Sequence, residues 1–241
     1  MKMSYVGVLT VLYYIVLSIE LYGEIVQNFS IIWAVKPLLM PLLLILFLLN
    51  SQKNLLIERI CLIVSLALSC IGDILFIKDR KDLFLYGISV YLIVHICYIL
   101  SFIVLIKQEG KLLQQRLTFS SMIIPLVPFF IYLIYFLSIL YPKLNNNSEE
   151  TKDLLFPILI YGFIIVGMGY ISYLRGRKIP GFWSVFLGAL FFILSDSILA
   201  FNKFVSHIPV PSLSIMFTYG IGQYLITIGT LQVTQKYSKN I

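Results

Sequence analysis

Charged side chains are scarce in this sequence, and their scarcity argues against a soluble fold. Only 12% of the 241 residues are charged, whereas 60% are hydrophobic and the mean hydropathy is +0.96. Soluble domains are roughly half apolar and about one quarter charged. The composition therefore predicts a polytopic membrane protein, organised as a single integral membrane domain over residues 1–241.

The few charges do not indicate a nucleic-acid site. The net charge is +7 and the isoelectric point is about 9.2, a balance that would attract nucleic acid if the basic residues shared one folded face. Here the Lys and Arg residues lie in short connections between apolar segments, as membrane topology requires. The predicted surroundings are a lipid bilayer, with no nucleic-acid partner, and protein partners are left unassigned.

Histidine and cysteine are rare as well, with two His and three Cys in the chain. Cys61, Cys70 and Cys97 fall inside apolar runs without paired spacing, which argues against a disulfide framework and against a zinc site. A Gly-x-Ser-x-Gly elbow, a P-loop and a dinucleotide fingerprint in its strand-turn-helix context are all missing. The sequence thus predicts no metal and no cofactor, and it gives no support to acyl-enzyme or nucleotide chemistry.

Long apolar segments fill most of the chain. At about 20 residues for each membrane crossing, they predict an all-α bundle of eight transmembrane helices. The predicted spans are residues 4–22, 29–49, 55–77, 83–106, 117–140, 153–174, 182–200 and 212–234.

An even number of spans places both termini on one side of the membrane. Most basic residues of the connections fall on that side, so the positive-inside rule predicts cytoplasmic N and C termini, in the cell membrane if the source is bacterial. The residues assigned inside are Lys2, Lys53, Arg59, Lys107, Lys111, Arg116, Arg175, Arg177, Lys178, Lys236 and Lys239, and those assigned outside are Lys78, Arg80, Lys81, Lys143, Lys152 and Lys203.

Two aspartates interrupt the apolar segments. Asp73 follows Gly72 in span 3, and Asp196 follows Ser195 in span 7. An ionisable side chain at membrane depth costs several kcal/mol and by default marks a functional site. Since spans 3 and 7 run in the same direction and each aspartate lies near the outer end of its span, we expect the two carboxyl groups at similar depth.

An internal similarity accompanies the two aspartates. Residues 86–93 in span 4 match residues 219–226 in span 8 at six of eight positions, and each copy follows its own Asp motif. The pattern predicts two four-span halves of the same orientation, related by a pseudo-twofold axis along the membrane normal. Chance similarity between apolar segments is the alternative.

Further polar residues are candidates for binding substrate or tuning the aspartates. Lys36 in span 2 lies at a similar predicted depth, where it can pair with Asp73 or Asp196, bind a phosphate group, or extend to the interface. His95 is either a hydrogen-bonded structural imidazole or a proton carrier. Glu20 is interpreted as an interfacial residue. The remaining candidates are Tyr91, Asn202, Gln223 and Tyr224.

The chain resembles the YhhN-like lysoplasmalogenase family of eight-span membrane proteins. Three segments carry the resemblance through their order, spacing and placement in the spans: residues 36–42, 72–75 and 195–200. The resemblance covers nearly the whole chain. It implies hydrolysis of the vinyl-ether bond of a lysophospholipid, the lysoplasmalogen, to a fatty aldehyde and a glycerophosphoethanolamine or glycerophosphocholine. It also implies that Asp73 and Asp196 are the catalytic acid and base. By analogy, the two carboxyl groups of a glycosidase have the same roles.

Two other functions fit the same residues. A proton-coupled transporter of lipids or small molecules would also have parallel repeats and acidic membrane residues, although both aspartates are predicted away from the membrane midplane. A lipid-binding or scaffold protein would use the aspartates as buried polar contacts between helices.

Overall fold

The computed structural model describes residues 5–51, 56–77, 81–112, 119–146, 154–176 and 178–237. These residues form eight α-helices joined by short connections. The helices are α1 (Tyr5–Ile25), α2 (Phe29–Asn50), α3 (Leu56–Ile77), α4 (Lys81–Leu112), α5 (Phe119–Asn146), α6 (Leu155–Leu174), α7 (Phe182–Phe204) and α8 (Pro211–Tyr237). The predicted all-helical membrane bundle is confirmed.

The helices extend the predicted spans by a few residues at several ends, most of all α4 and α5, each of which continues six residues beyond the predicted end, to Leu112 and Asn146. Several residues used for the predictions lie outside the described part of the chain. They are span ends 4, 55, 117 and 153 and the topology residues Lys2, Lys53, Lys78, Arg80, Arg116, Lys152, Arg177 and Lys239.

Within the described ranges, seven helices are long and apolar enough to cross a membrane, and the protein is an integral membrane protein. Helix α8 is long enough to cross a membrane but is more polar than the other seven helices. Its Thr218, Gln223 and Thr227 are buried inside the bundle, and the two threonine hydroxyls donate to backbone carbonyls one turn earlier. Polar side chains at membrane depth are stable when they face the bundle interior and are hydrogen-bonded, which explains why α8 has a weaker hydropathy signal than its neighbours.

The helix contacts form a ring of α2, α3, α4, α6, α7 and α8, with α1 packed outside it against α2 and α8 and α5 packed outside it against α6 and α7. Helix α3 packs along α4 and α7 packs along α8, while α2 contacts α1, α3 and α8, and α6 contacts α4 and α7. The main contacts of α5 are with α6 and α7 alone. Helix α5 also contains Pro125, Pro128 and Pro142, and much of its apolar surface faces outward.

Helices α7 and α8 approach each other through glycines. A Cβ atom added at Gly188 would lie 2.8 Å from the carbonyl oxygen of Gly222, and one at Gly229 would lie 2.8 Å from the carbonyl oxygen of Gly181. Small residues of this kind let membrane helices pack backbone against backbone. The arrangement fixes the distance between Asp196 on α7 and the tyrosines of α8. The predicted pseudo-twofold repeat stays a prediction.

Candidate active site

Asp73 lies near the C-terminal end of α3 and is 3% exposed. The Tyr91 hydroxyl of α4 donates to its Oδ1 atom at 2.5 Å, and the Tyr219 hydroxyl of α8 donates to its Oδ2 atom at 3.1 Å. The two hydroxyl oxygens are 2.9 Å apart. One phenol per carboxylate oxygen holds the group in a single orientation, and hydrogen bonds to a charged acceptor are stronger than those between neutral groups.

Gly72 makes this geometry possible. A Cβ atom at residue 72 would lie 2.5 Å from the Tyr91 ring, so the ring rests directly on the α3 backbone beside Asp73. On the other side, the Gln223 amide donates to Ser69 Oγ at 3.0 Å and to the Tyr219 hydroxyl at 3.5 Å. The predicted candidate Gln223 therefore supports Tyr219 and contacts the carboxyl group only through it.

Asp196, near the C-terminal end of α7, has different neighbours, and its side chain is 16% exposed. The Tyr161 hydroxyl of α6 donates to Oδ2, and His95 Nε2 of α4 lies 3.5 Å from the same oxygen and 2.9 Å from the Tyr161 hydroxyl. The His95 ring is fully buried against Phe192, with ring centroids 4.8 Å apart. These contacts form a triangle of Asp196, His95 and Tyr161.

Lys36 is paired with an acid that the sequence analysis did not consider. Its Nζ atom lies 3.6 Å from Glu24 Oε1, and neither Asp73 nor Asp196 is within ion-pair distance of it. Glu20, which we interpreted as interfacial, is fully buried. Because Lys36 lines the same cavity as the two aspartates, its positive charge still faces their site.

Both aspartates open into one cavity, which we call the catalytic cavity and which encloses about 530 Å³ including its mouth. Tyr91 and Tyr219 line it together with Asp73, Asp196 and Lys36. The two carboxyl groups, which the sequence analysis expected at similar depth, thus line the same cavity, and their depth in the membrane stays a prediction. An acid, a base and a cation can act on a single bound molecule in this space.

Two further cavities adjoin the catalytic one. The larger, which we call the vestibule, has about 1700 Å³ of empty space including its mouth, and the polar part of its wall includes Glu24, Lys36, Asn202, Lys203 and His207. The other, which we call the apolar cavity, encloses about 690 Å³ between α5, α6 and α7.

The three cavities meet at common residues. Phe76 and Leu199 line all three, and Asp196 lines both the catalytic and the apolar cavity. An elongated amphiphilic molecule can thus have its polar end, its reacting bond and its apolar end in adjoining spaces.

The other predicted residues divide between the site and the rest of the bundle. Asn202 lines the vestibule, and its side-chain oxygen accepts a hydrogen bond from the Ile208 amide. Tyr224 lies against α1, where its ring stacks on Tyr13 and its hydroxyl is 3.1 Å from Thr10 Oγ1. It is not among the residues that line the three cavities.

Sequence reasoning missed Tyr161 and Glu24. Tyr161 is one of 16 tyrosines in a chain with long apolar helices, and no repeat or motif distinguishes it. Glu24 lies just beyond the predicted end of span 1, a position typical of an interfacial acidic residue. Among the residues that the structure describes, no group of three His, Cys, Asp or Glu side chains has the arrangement of a metal site.

Comparison with known proteins gives a consistent set of matches. The YhhN family model matches residues 31–230. The chain is 30% identical over 168 residues to lysoplasmalogenase TMEM86B of Rattus norvegicus, which covers 70% of this chain and 60% of the relative. It is 25% identical over 173 residues to the lysoplasmalogenase of Mycobacterium bovis, a match that covers 71% of this chain and 60% of the relative. The matches therefore span less than two thirds of the length of these relatives, and no solved structure matches the chain.

Proposed function

Because the chain belongs to the YhhN family, we propose that it is a membrane hydrolase that cleaves the vinyl-ether bond of lysoplasmalogens. The products are a fatty aldehyde and a glycerophosphoethanolamine or glycerophosphocholine. One observation carries the proposal: two carboxyl groups face a single cavity that adjoins both a partly polar vestibule and an apolar cavity. Relatives named lysoplasmalogenase support the same chemistry.

We propose that Asp196 is the acid. Hydrolysis of a vinyl ether begins with proton transfer to the double-bond carbon farther from the ether oxygen, on the chain side of the bond. This gives an oxocarbenium ion at the carbon next to the oxygen. Asp196 lines the apolar cavity, whereas Asp73 does not, so Asp196 is the carboxyl group next to the chain-side carbon. Its contact with His95 and Tyr161 orients the carboxyl group for this transfer.

Asp73 is the base in this scheme. Two phenol donors fix the orientation of its oxygens, and a carboxylate so held stabilises the oxocarbenium ion and takes a proton from the attacking water. The water oxygen bonds to the carbon next to the ether oxygen and forms a hemiacetal. Asp73 then returns its proton to the glycerol oxygen as that bond breaks, and the hemiacetal hydroxyl gives its proton to Asp196. One water is consumed and both carboxyl groups regain their starting states.

The vestibule is proposed to hold the head group. Lys36 faces both the vestibule and the catalytic cavity, so its ammonium group can contact the phosphate while Glu24 keeps it in place. Asn202 lies further along the same wall. The phosphate end of the lysolipid would thereby anchor the vinyl ether between the aspartates.

The topology remains part of the proposal. With eight membrane-crossing helices in one integral domain, including the more polar α8, both termini lie on one side, and the basic residues of the connections favour the cytoplasmic side. The catalytic cavity, near the C-terminal ends of α3 and α7, then opens toward the outer leaflet.

The deciding experiment uses purified protein in detergent. It is incubated with alkenyl lysophospholipid, and with the acyl ester and the saturated alkyl ether of the same head group as controls, and aldehyde is measured by mass spectrometry. We expect aldehyde from the vinyl ether alone. If no vinyl ether is cleaved, but proteoliposomes accumulate a solute in a manner that depends on Asp73 and Asp196, the protein is a carrier and the hydrolase proposal fails.

A further inference from the structure

The apolar cavity is an unusual feature of an otherwise closely packed bundle. Membrane helices associate through close van der Waals contact, and protein interiors leave few spaces larger than a water molecule. Here lining residues of α5 and α6 leave a gap along about two turns, and Leu133 and Leu137 on α5 lie opposite Gly162 on α6. The space open to the centre of a water-sized sphere is about 60 Å³, and all the empty space, including the open mouth, is about 690 Å³.

The walls of this cavity are hydrocarbon except at one place. Nearly all lining side chains are aliphatic or Phe, and the polar exceptions are Tyr132, Tyr161, Asp196 and Ser197. These four are paired, Tyr132 with Ser197 and Tyr161 with Asp196 Oδ2, which leaves Asp196 Oδ1 as the oxygen of this carboxyl group that can meet a ligand. A molecule that fills the cavity is therefore apolar along its length and meets a reactive group only at Asp196.

We propose that the apolar cavity binds the single hydrocarbon chain of the lysolipid, with the vinyl-ether end at Asp196, and that Gly162 provides the room for that chain. The lysolipid as ligand rests on the proposed function. The cavity runs for about 12 Å along α5 and α6, since its lining residues span eight positions on each helix at 1.5 Å per residue. The polar vestibule lies on the other side of Phe76 and Leu199, which gives the head group and the chain separate places.

Gly162 offers a direct test because a side chain at this position would enter the cavity. A Cβ atom there would lie 3.6 Å from Leu133 Cδ1 and 4.0 Å from Leu137 Cδ2, which is ordinary van der Waals contact, so Gly162→Ala fits and Gly162→Leu fills the cavity. Gly167 on the same helix is the matched control, because a Cβ atom there meets nothing within 4 Å and the residue does not line the cavity.

The first measurement is kcat/KM for vinyl-ether lysolipids of graded chain length. Each methylene excluded from an apolar site costs roughly fourfold in binding. We expect Gly162→Leu to lower kcat/KM for long chains at least tenfold while short chains react as in the unchanged protein, Gly162→Ala to have a smaller effect of the same kind, and Gly167→Leu to leave the chain-length profile unchanged. An identical profile for the Gly162 and Gly167 variants would overturn the proposal.

The second measurement does not depend on hydrolysis. A saturated alkyl-ether lysolipid with a diazirine at the end of its chain is photolysed on the purified protein, and the labelled peptides are identified. We expect saturable labelling of α5, α6 and α7, which Gly162→Leu reduces and Gly167→Leu does not. Such labelling in a protein that cleaves no vinyl ether would refute the proposed activity and leave the chain site standing. Labelling confined to other helices would refute the chain site, whatever the activity.

Discussion

Asp73 and Asp196 are the same chemical group, each near the C-terminal end of its helix, yet their surroundings differ. Asp73 is almost fully buried and receives one tyrosine hydroxyl on each oxygen, whereas Asp196 has a single contacted oxygen, shared by a tyrosine and a histidine, and a partly exposed side chain. The first carboxyl group is held by one donor on each oxygen. The second is open to two cavities.

The difference shows how two identical side chains acquire different tasks. A carboxyl group whose oxygens are both occupied serves best as a fixed negative charge, while one with a free oxygen in a cavity can reach a reacting carbon. In the proposed mechanism, the surroundings of each aspartate, and not the residue type, decide between acid and base. The predictions below test this contrast, from the largest expected effect to the smallest.

Removal of either carboxyl group should nearly abolish turnover. Because acid or base assistance is worth about 10²- to 10⁴-fold, Asp73→Asn and Asp196→Asn should each lower kcat by that order. Groups that act as a unit are not additive, so the double variant should lose little more than either single one. The measurement is aldehyde formation by folded protein, judged by its elution from a sizing column in detergent.

Near-normal turnover in a folded single variant would remove that aspartate from the mechanism. A double variant that loses the product of the two single effects would show instead that the carboxyl groups act independently.

Tyrosine variants should separate the two environments. Hydrogen bonds to charged groups contribute about 1.5–3 kcal/mol, so Tyr91→Phe, which removes the donor at 2.5 Å from Asp73, should lower kcat roughly 10- to 100-fold with KM little changed. Tyr161→Phe should cost less, about tenfold, because His95 still contacts Asp196. Steady-state kcat and KM of both variants give the comparison, and a larger loss for Tyr161→Phe would reverse the assigned roles.

Lys36→Met should weaken binding and leave the chemical step nearly unchanged. If the Lys36 ammonium group holds the phosphate, its loss removes an interaction that is equal in the bound substrate and in the transition state, so KM should rise about tenfold at constant kcat. Lys178→Met is the control, since Lys178 is exposed beyond the opposite end of the bundle. A fall in kcat with an altered pH profile would show that Lys36 acts on the carboxyl groups instead.

Tyr224→Phe should have the smallest effect. Its hydroxyl contacts Thr10 of α1 and not a cavity, so kcat/KM should not change, while stability in detergent should fall by about 1 kcal/mol at most. Tyr91 and Tyr224 occupy equivalent positions in the internal similarity, which makes the pair informative. Loss of activity in Tyr224→Phe would give this residue a role that its contacts do not predict.

The sequence was sufficient to predict the fold class, because long apolar segments leave few alternatives to membrane helices. It was also sufficient to single out Asp73 and Asp196, since a carboxyl group in an apolar run is costly wherever it points. Side-chain direction was the missing information. Gln223 and Tyr224 are adjacent in sequence, yet one supports Tyr219 and the other faces α1.

The remaining site residues depend on contacts between helices that sequence periodicity does not specify. Lys36 lies near several acidic residues at its end of the bundle. The packing of α1 against α2 makes Glu24 its partner. Tyr161 joins the site because α6 packs beside α4 and α7, a neighbour relation that follows from the whole arrangement of helices.

The glycine contacts between α7 and α8 have a consequence for motion. Where two backbones touch directly, there are no long side chains to change rotamer, so these helices should move as one body and keep Asp196 and Tyr219 at a constant spacing. Helix α5 packs on α6 through side chains instead, with Phe129 against Gly169 and Leu133 against Gly162. Thermal fluctuations that let a lipid pass in and out are therefore expected at α5, and the alignment of the two carboxyl groups need not relax each time a substrate enters.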